Sequence, residues 1–354
     1  MKKVICFDLE GPLSPMDYAY EVMKFIPAGD RVFEVISRYD DILTLEQRAN
    51  YESGDTLKLI VPFLKCGAFK VLPSEARQVL ICGNSEEADF KKISDRAILV
   101  NGAKELISRL RQGGWQVFII STSYEHHALR IARRLGVSRA NVFCTKFPLG
   151  LYRKEIDERS LLIVDSARDF IASDLWIKNL SSGKKDKEIK EFLDEFFWGE
   201  VTSDTEIKKS FGDIRVMGGA RKVEALKKIA ERSGVLLENL AAVGDSITDF
   251  KMLQAVDGAG GLAIVFNGNE YALPYGTVGL ATTNIMDLRK ILDAWVGPWG
   301  GREAVKVVIR KTKPVMAGPY YHWLVGKTQQ ELSEILKIHK KFRKMVRKEA
   351  AKLG

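Results

Sequence analysis

Short apolar runs alternate with stretches of helical periodicity along most of this chain of 354 residues. Runs of four or five apolar, often β-branched residues are typical of buried strands, and apolar residues three and four positions apart are typical of one helix face. Strands that alternate with helices predict an α/β fold with a parallel sheet. The predicted strands are Val4–Phe7, Val117–Ser121, Val142–Thr145, Leu161–Val164, Leu240–Val243, Ala263–Phe266 and Val278–Ala281.

Helices are expected between these strands. One begins after Gly102 and ends at Gly113, a second runs from about Arg221 to Gly234, and a third begins near Ser246. Glycine just past the last periodic residue is a common end signal, because it readily adopts the left-handed conformation that terminates many helices.

Two long segments interrupt the alternation. Residues 14–97 are rich in Phe and Tyr and mostly helical in pattern, and residues 148–213 contain a helical stretch at Lys184–Trp198. After a Gly/Pro-rich turn at Gly297–Gly301, interpreted as a hinge, a helical pattern covers Leu324–Leu353. The predicted organisation is a core of residues 1–13, 98–147 and 214–300, two inserted caps at 14–97 and 148–213, and a basic C-terminal region at 301–354.

The composition, with 46% hydrophobic and 29% charged residues, is that of an ordinary globular protein and excludes a fibrous or wholly disordered chain. The cysteines, Cys6, Cys66, Cys82 and Cys144, include no Cys-x-x-Cys pair of the kind that binds zinc. No stretch approaches the roughly 18 apolar residues that a membrane span needs. We therefore expect a cytoplasmic protein with free thiols.

The formal net charge of +9 is concentrated at the C-terminal end. Residues 302–354 contain 14 Lys and Arg against 4 Glu, whereas residues 1–301 carry a net charge of −1. The last predicted helix is therefore basic over most of its surface, with an apolar stripe of Ile335, Ile338, Phe342 and Val346. Either it packs on the core through this stripe, which we favour, or it docks an acidic protein, a nucleic acid or an anionic lipid surface.

Two acidic residues follow the first predicted strand. Asp8 comes directly after Phe7, and Glu10 lies two residues further on, before Gly11. The carboxyl ends of parallel strands are the usual place for a site in an α/β sheet. Side chains two residues apart point to the same side, so this pair can share a substrate and a cation. Alone, the motif is equally compatible with an acidic loop.

Hydroxyl and lysine side chains follow at two further points. Ser121 and Thr122 end the second predicted strand, where hydroxyls and the N–H groups of a following helix can bind a phosphate oxygen. Lys222 lies at the start of a helix, where a cation adds to the attraction for phosphate. Each signal is weak alone, because hydroxyls commonly cap helices.

A second acidic pair follows the strand at Leu240–Val243. Asp245 ends the strand and Asp249 lies in the first turn of the next helix. Two carboxylates suit Mg²⁺, a hard ion that takes one or two of them and keeps several waters. The alternative for this motif alone is a helix N-terminus with favourably placed acids.

Taken in order, Asp-x-Glu-Gly, a strand-ending Ser, a Lys and Gly-Asp-x-x-x-Asp resemble the motifs of the haloacid dehalogenase superfamily of phosphotransferases, in its phosphoserine-phosphatase-like branch. The chain is also similar to uncharacterised archaeal-type members of that superfamily. The match covers residues 1–13, 98–147 and about 214–285. The resemblance implies a Rossmann-like core with caps inserted after the first and second motifs, where the two interruptions fall.

The resemblance also implies catalytic roles for the first motif. Asp8 is expected to be the nucleophile that becomes an aspartyl phosphate, and Glu10 to protonate the leaving oxygen and then activate water. Glu10 stands where Asp is commoner in the family, and Pro12 where Thr is commoner. Enolase-phosphatases share Asp-x-Glu-Gly and remain phosphatases, so the longer acid is compatible with hydrolysis.

The remaining motifs are implied to bind metal and phosphate. Mg²⁺ is expected on Asp8, the backbone carbonyl of Glu10 and Asp245, with Asp249 either in the metal shell or orienting Lys222. Phosphoryl oxygens are expected on three side chains, those of Ser121, Thr122 and Lys222.

These expectations favour a Mg²⁺-dependent phosphatase that acts on a small phosphorylated metabolite. The alternative is a non-hydrolytic accessory or regulatory subunit of the same fold, which docks an acidic protein partner through the basic C-terminal helix. Nucleic-acid binding ranks last, because the body of the chain is nearly neutral and contains no DNA- or RNA-reading motif.

Overall fold

The computed structural model describes residues 2–71, 93–146, 157–199, 206–212, 214–312 and 315–353. Its sheet has the strand order β3-β2-β1-β4-β5-β6-β7 and is parallel except for the antiparallel pairing of β7 with β6. The strands are β1 Lys3–Phe7, β2 Trp115–Tyr124, β3 Val142–Thr145, β4 Leu240–Gly244, β5 Leu262–Phe266, β6 Val278–Ala281 and β7 Tyr320–Trp323.

Helices cover both faces of this sheet and build a separate helical layer beyond its carboxyl edge. They include α1 Tyr18–Met23, α2 Gly29–Leu45, α3 Thr56–Leu59, α4 Val61–Val71, α5 Ala103–Gln112, α6 Glu125–Leu135, α7 Glu158–Ile171, α8 Asp174–Ile177, α9 Asp186–Trp198, α10 Glu206–Gly212, α11 Ala220–Ser233, α12 Phe250–Gly258, α13 Leu288–Val296, α14 Arg302–Lys311 and α15 Gln329–Arg347. Within the described ranges, every helix is too short or too polar to span a lipid bilayer.

Strand β1 shows why the apolar runs are continuous. Ile5 and Phe7 pack on one face of the sheet, in the cluster that contains α5, α6 and α13. Val4 and Cys6 pack on the other face, in the cluster that contains α11 and α12. A strand buried on both sides has no polar positions to alternate with its apolar ones. The predicted α/β fold with a parallel core sheet is confirmed.

One predicted strand is wrong. Leu161–Val164 lies inside helix α7, which begins after Asp157, whose carboxylate accepts a hydrogen bond of 2.8 Å from the Ser160 backbone N–H. Val164 and Ile171 are buried at helical spacing. A short apolar run cannot be told from one face of a helix by hydrophobicity alone, and the N-cap of the longer element decides here.

The two segments predicted as separate inserts contribute to one hydrophobic core. The rings of Tyr39 and Phe197 stack with centroids 6.2 Å apart, and those of Phe63 and Phe196 lie 5.6 Å apart. Ion pairs also join the segments, among them Arg31–Asp174, Arg38–Asp186 and Arg48–Asp194. Within the described residues, the inserts therefore form a single helical body, here called the cap. Of the predicted inserts, residues 72–92, which include Cys82, 148–156, 200–205 and 213 lie outside the described residues.

The C-terminal region is part of the core rather than a tail beside it. Two backbone hydrogen bonds of 2.9 Å close the turn at Gly297–Gly301, which was expected to be a hinge. Strand β7 then extends the sheet, and α15 packs on it through Ile335. Strand β7 was not predicted, because Tyr320–Trp323 is only four residues long and follows Pro319.

Burial lowers the pKa of three histidines in the core: His127 to about 3, His322 to about 4, and His339 well below its usual range. The imidazole of His127 stacks on Tyr18, with ring centroids 4.6 Å apart, and its Nδ1 lies 3.2 Å from the Ser94 hydroxyl. These histidines are neutral in the folded chain near neutral pH.

The buried histidines should therefore lower the free energy of unfolding as the pH falls. The unfolded chain binds protons at histidine below about pH 6.5 while the folded chain does not, so each buried histidine removes up to about 1.4 kcal/mol of stability per pH unit below that value. Urea denaturation at pH 7.5 and 5.5 measures this loss. His127→Gln should lose less stability between the two pH values than the parent, whereas His126→Gln, at the partly exposed neighbour, should lose as much. Equal losses in the His127→Gln variant and the parent would contradict the assignment.

Candidate active site

Asp8 and Asp245 emerge side by side from adjacent parallel strands. Phe7 of β1 pairs with Val243 of β4, and the Asp8 backbone N–H extends the ladder with a 2.8 Å hydrogen bond to the Val243 carbonyl. Both carboxylates are buried. The parallel register thus brings residues 237 positions apart in the sequence to one point at the carboxyl edge of the sheet.

Lys222 joins the first and last motifs. Its ammonium group, on the first turn of α11, donates hydrogen bonds of 2.7 Å to Oδ1 of Asp8 and 2.7 Å to Oδ1 of Asp249. The side chain is completely buried. Burial alone would lower the pKa of Lys222, but the two carboxylates outweigh it and raise that pKa. Lys222 is therefore a permanent cation within the site.

Both carboxylate oxygens of Asp249 accept hydrogen bonds from other groups of the protein. Its Oδ1 accepts from Lys222, and its Oδ2 accepts from the backbone N–H groups of Asp245 at 2.9 Å and Ser246 at 3.2 Å. These contacts fix the turn that follows β4 and aim Lys222 at Asp8. Of the two roles expected for Asp249, the contacts favour the orientation of Lys222.

A divalent cation fits between the carboxylates. Asp8, Asp245 and Asp249 each offer an oxygen within 4.8 Å of the other two. Oδ1 of Asp245 is buried and has no hydrogen-bond partner among the described residues. An ionised oxygen buried without a donor is costly, and a hard cation such as Mg²⁺ satisfies it. The donor set therefore suits Mg²⁺.

Glu10 lies beside this group with its side chain turned towards the cap. Its Oε1 accepts a 3.0 Å hydrogen bond from the Tyr18 backbone N–H at the start of α1. Burial, with the nearby charges of Asp17 and Asp8, raises the pKa of Glu10 to about 8. Its carboxylate is not one of the three that cluster around the cation position.

Ser121 and Thr122 end up in different surroundings. The hydroxyl oxygen of Ser121 accepts a 3.1 Å hydrogen bond from the Ser123 backbone N–H. The Thr122 hydroxyl is buried with no partner among the described residues, and Thr122 lines a cavity together with Asp8 and Glu10. Thr122 is thus the more available of the two for a ligand.

This cavity, of about 70 Å³, lies between the core and the cap. Core residues line its floor, while the cap provides Phe33, Asp40 and Asp41, and the C-terminal segment provides Arg347 and Leu353. Three parts of the chain therefore enclose the space above Asp8.

Sequence reasoning missed two arginines of this site. Arg343 and Arg347, on α15, are buried and both pair with Oδ2 of Asp245. They were counted among the surface charges of a basic helix, and for these two residues that interpretation is wrong. The four lysines of α15 are exposed. A signal was present, since the arginines lie four residues apart, on the face of buried His339, in a helix whose other cations are lysines. Arginine is preferred for buried ion pairs.

The fold and these motifs place the chain in a known class of enzymes. Two family models, both described as haloacid dehalogenase-like hydrolase, match residues 2–151 and 159–270. Together they cover most of the chain, including Asp8, Glu10, Ser121, Lys222, Asp245 and Asp249. The chain belongs to the haloacid dehalogenase-like hydrolases.

Two proteins of Archaeoglobus fulgidus are similar to this chain. A curated phosphoserine phosphatase of Archaeoglobus fulgidus is 22% identical over 291 residues, which are 82% of this chain and 60% of that protein. The chain thus spans less than two thirds of the length of this relative. The solved structure of gene product AF1437, also from Archaeoglobus fulgidus, is 28% identical with a TM-score of 0.78, and the match covers 100% of this chain and 99% of that one. The latter likeness extends through the C-terminal region.

Gly11 gives a test of how closely the first motif approaches Asp245. A Cβ atom at Gly11 would overlap the Asp245 carboxylate, and the backbone there has a φ of +107°. Gly114, with a φ of +80°, has open space around the same position. We predict that Gly114→Ala loses about 1–2 kcal/mol from backbone strain alone, and that Gly11→Ala loses about 1–3 kcal/mol more from the overlap. Urea denaturation measures both; equal losses would contradict this packing.

Proposed function

We propose that the chain is a Mg²⁺-dependent phosphatase that hydrolyses a small phosphorylated metabolite through an aspartyl phosphate on Asp8. The observation that carries the proposal is the buried Lys222, which contacts Asp8 and Asp249 at 2.7 Å each, next to the unpartnered Oδ1 of Asp245. This arrangement offers a nucleophile, a fixed cation and a metal ligand at one point. The name of the Archaeoglobus relative, phosphoserine phosphatase, supports a phosphate monoester as the substrate class.

In this proposal, Asp8 attacks phosphorus with one defined oxygen. Lys222 donates to its Oδ1, which leaves Oδ2 to attack phosphorus as the bond to the leaving oxygen breaks. Water then attacks the resulting aspartyl phosphate, which releases phosphate and restores Asp8.

Burial and the carboxylates of Asp249 and Asp245 raise the pKa of Asp8 to about 8, so ionisation of the nucleophile needs additional positive charge. Mg²⁺, held by Asp8, Oδ1 of Asp245 and the backbone carbonyl of Glu10, would supply that charge and neutralise the phosphoryl oxygens.

Glu10 is suited to be the acid and base. A pKa near 8 keeps its carboxyl protonated at neutral pH, as proton donation to the leaving oxygen requires. The Tyr18 N–H holds Oε1, so the proton is available on Oε2. After the first step the ionised carboxylate can accept a proton from the attacking water.

Phosphoryl oxygens have donors ready around Asp8. Lys222 provides charge, and the Thr122 hydroxyl, which has no partner in the part of the chain that the structure describes, provides a donor. Ser121 lies directly before it on β2. Donors that are already in place when charge develops need no reorganisation during the reaction.

Asp8→Asn should abolish turnover of a generic aryl phosphate in the presence of Mg²⁺, because an amide cannot form the acyl phosphate. We expect a loss of at least about 10³-fold in kcat. Asp293→Asn, at an exposed position on α13, is the matched control and should retain parental turnover. Comparable turnover in the Asp8→Asn variant and the control would reject Asp8 as the nucleophile.

The alternative is a non-hydrolytic subunit of the same fold. It predicts the opposite result for hydrolysis by the unmodified chain. It requires negligible hydrolysis across a panel of phosphorylated metabolites with Mg²⁺. Docking of an acidic partner on α15 would then use its exposed lysines, because Arg343 and Arg347 are committed to Asp245. If the parent hydrolyses a substrate of the panel and the Asp8→Asn variant does not, the result supports the phosphatase and rejects the non-hydrolytic subunit.

A further inference from the structure

Two guanidinium groups from the C-terminal helix share one oxygen of a metal ligand. Arg347 donates to Oδ2 of Asp245 at 3.1 Å, and Arg343 donates to the same oxygen and, at 3.2 Å, to the Asp245 backbone carbonyl. Both side chains are at least 95% buried. Arg343 also binds the carbonyls of Ala351 and Leu353, so it holds the end of the chain in place.

Asp245 thus has two differently committed oxygens. The protein's own cations occupy Oδ2, and Oδ1 is buried and unpartnered among the described residues. A metal ion on Oδ1 and the arginines on Oδ2 would neutralise the same negative charge. Their mutual repulsion across this carboxylate is strong because Asp245 and both arginines are buried, where charges are weakly screened.

Arg347 is the one of the two arginines that lines the cavity above Asp8. It lines the cavity with Asp8, Glu10 and Asp17, and the charges of Asp245, Asp17, Glu10 and Asp8 all act on it. Its Nε is buried without a partner among the described residues. Unlike Arg343, it makes no described contact that fixes the chain terminus, so it can be altered with less effect on the fold.

We propose that Arg347 is a positioning residue that sets the affinity of the active site for its divalent cation, by placing a fixed positive charge on the carboxylate that binds the cation. The inference rests on the Mg²⁺ site of the proposed function. It makes the docking of α15 and the binding of metal thermodynamically coupled, since whatever withdraws Arg347 from Asp245 strengthens metal binding, and metal binding favours that withdrawal to the same extent. The C-terminal segment would then keep bound metal exchangeable.

The test is Mg²⁺ binding to the full chain, measured by isothermal titration calorimetry without substrate. Arg347→Met removes the charge and keeps most of the volume, so its Kd for Mg²⁺ should fall at least about tenfold. Arg347→Lys keeps the charge and should bind Mg²⁺ within about threefold of the parent. Lys344→Met, at an exposed position on the same helix, removes an equal charge from outside the site and should leave the Kd unchanged.

An unchanged or higher Kd in the Arg347→Met variant would overturn the proposal, as would an equal fall in the Lys344→Met control. A merely structural role for Arg347 would weaken metal binding on its removal rather than strengthen it. If Arg347→Met does not fold, Arg347→Gln, which retains a donor for Oδ2 without the charge, has the same expectation.

The outcome is separable from that of the proposed function, because binding is measured without turnover. Tighter Mg²⁺ binding in Arg347→Met with no hydrolysis by the parent would support this inference and reject the phosphatase. Hydrolysis by the parent that depends on Asp8, together with an unchanged Kd for Mg²⁺ in Arg347→Met, would support the phosphatase and reject this inference.

Discussion

The buried ammonium group of Lys222 is the contact on which the rest of the site depends. It lies between Asp8 at the end of β1 and Asp249 in the turn after β4, and so ties α11 to both strands. Removing one partner from a buried ion pair leaves an uncompensated charge, which typically costs about 3–5 kcal/mol. The same contact selects which oxygen of Asp8 faces the cavity, so one interaction serves both the fold and the chemistry.

Charge balance explains the remainder of the arrangement. Asp8, Asp245 and Asp249 bring three carboxylates to one point at the edge of the sheet, and Glu10 and Asp17 lie close by. Burial of so many acids is tolerable only with cations in contact. The chain supplies Lys222 from α11 and two arginines from α15. Strand β7 is antiparallel to β6 and ends at the opposite edge of the sheet, and α15 then runs back to the carboxyl edge, where its arginines contact Asp245. The C-terminal region is therefore part of the site's electrostatics.

The strand-helix alternation and the ordered motifs were predictable from the sequence because their signals are local. A buried parallel strand is a continuous apolar run, and a strand-ending Asp identifies its carboxyl end. The parallel register then placed Asp8 and Asp245 together without further information. The strand predicted at Leu161–Val164 failed because four apolar residues fit either period, and β7 was missed because an edge strand of four residues has almost no pattern.

The roles of the arginines were not predictable from composition. A net charge locates cations along the chain but not in space, and Arg343 and Arg347 look like their lysine neighbours until the helix is placed against β4. The fusion of the two inserts into one cap was also hidden, since the contacts of Tyr39 with Phe197 and of Arg38 with Asp186 join residues about 150 positions apart. Such contacts depend on tertiary structure alone.

The central claim is that the phosphoryl group is transferred to the carboxylate of Asp8 before water releases it. The most direct measurement is to mix the parent chain with Mg²⁺ and an aryl phosphate, quench in acid within the first turnover, and locate the phosphoryl group by peptide mass spectrometry. The account predicts an acid-stable, base-labile phosphoryl group on the peptide that contains Asp8. Hydrolysis of the substrate without a phosphoryl group on that peptide, or with one on another residue, would contradict it.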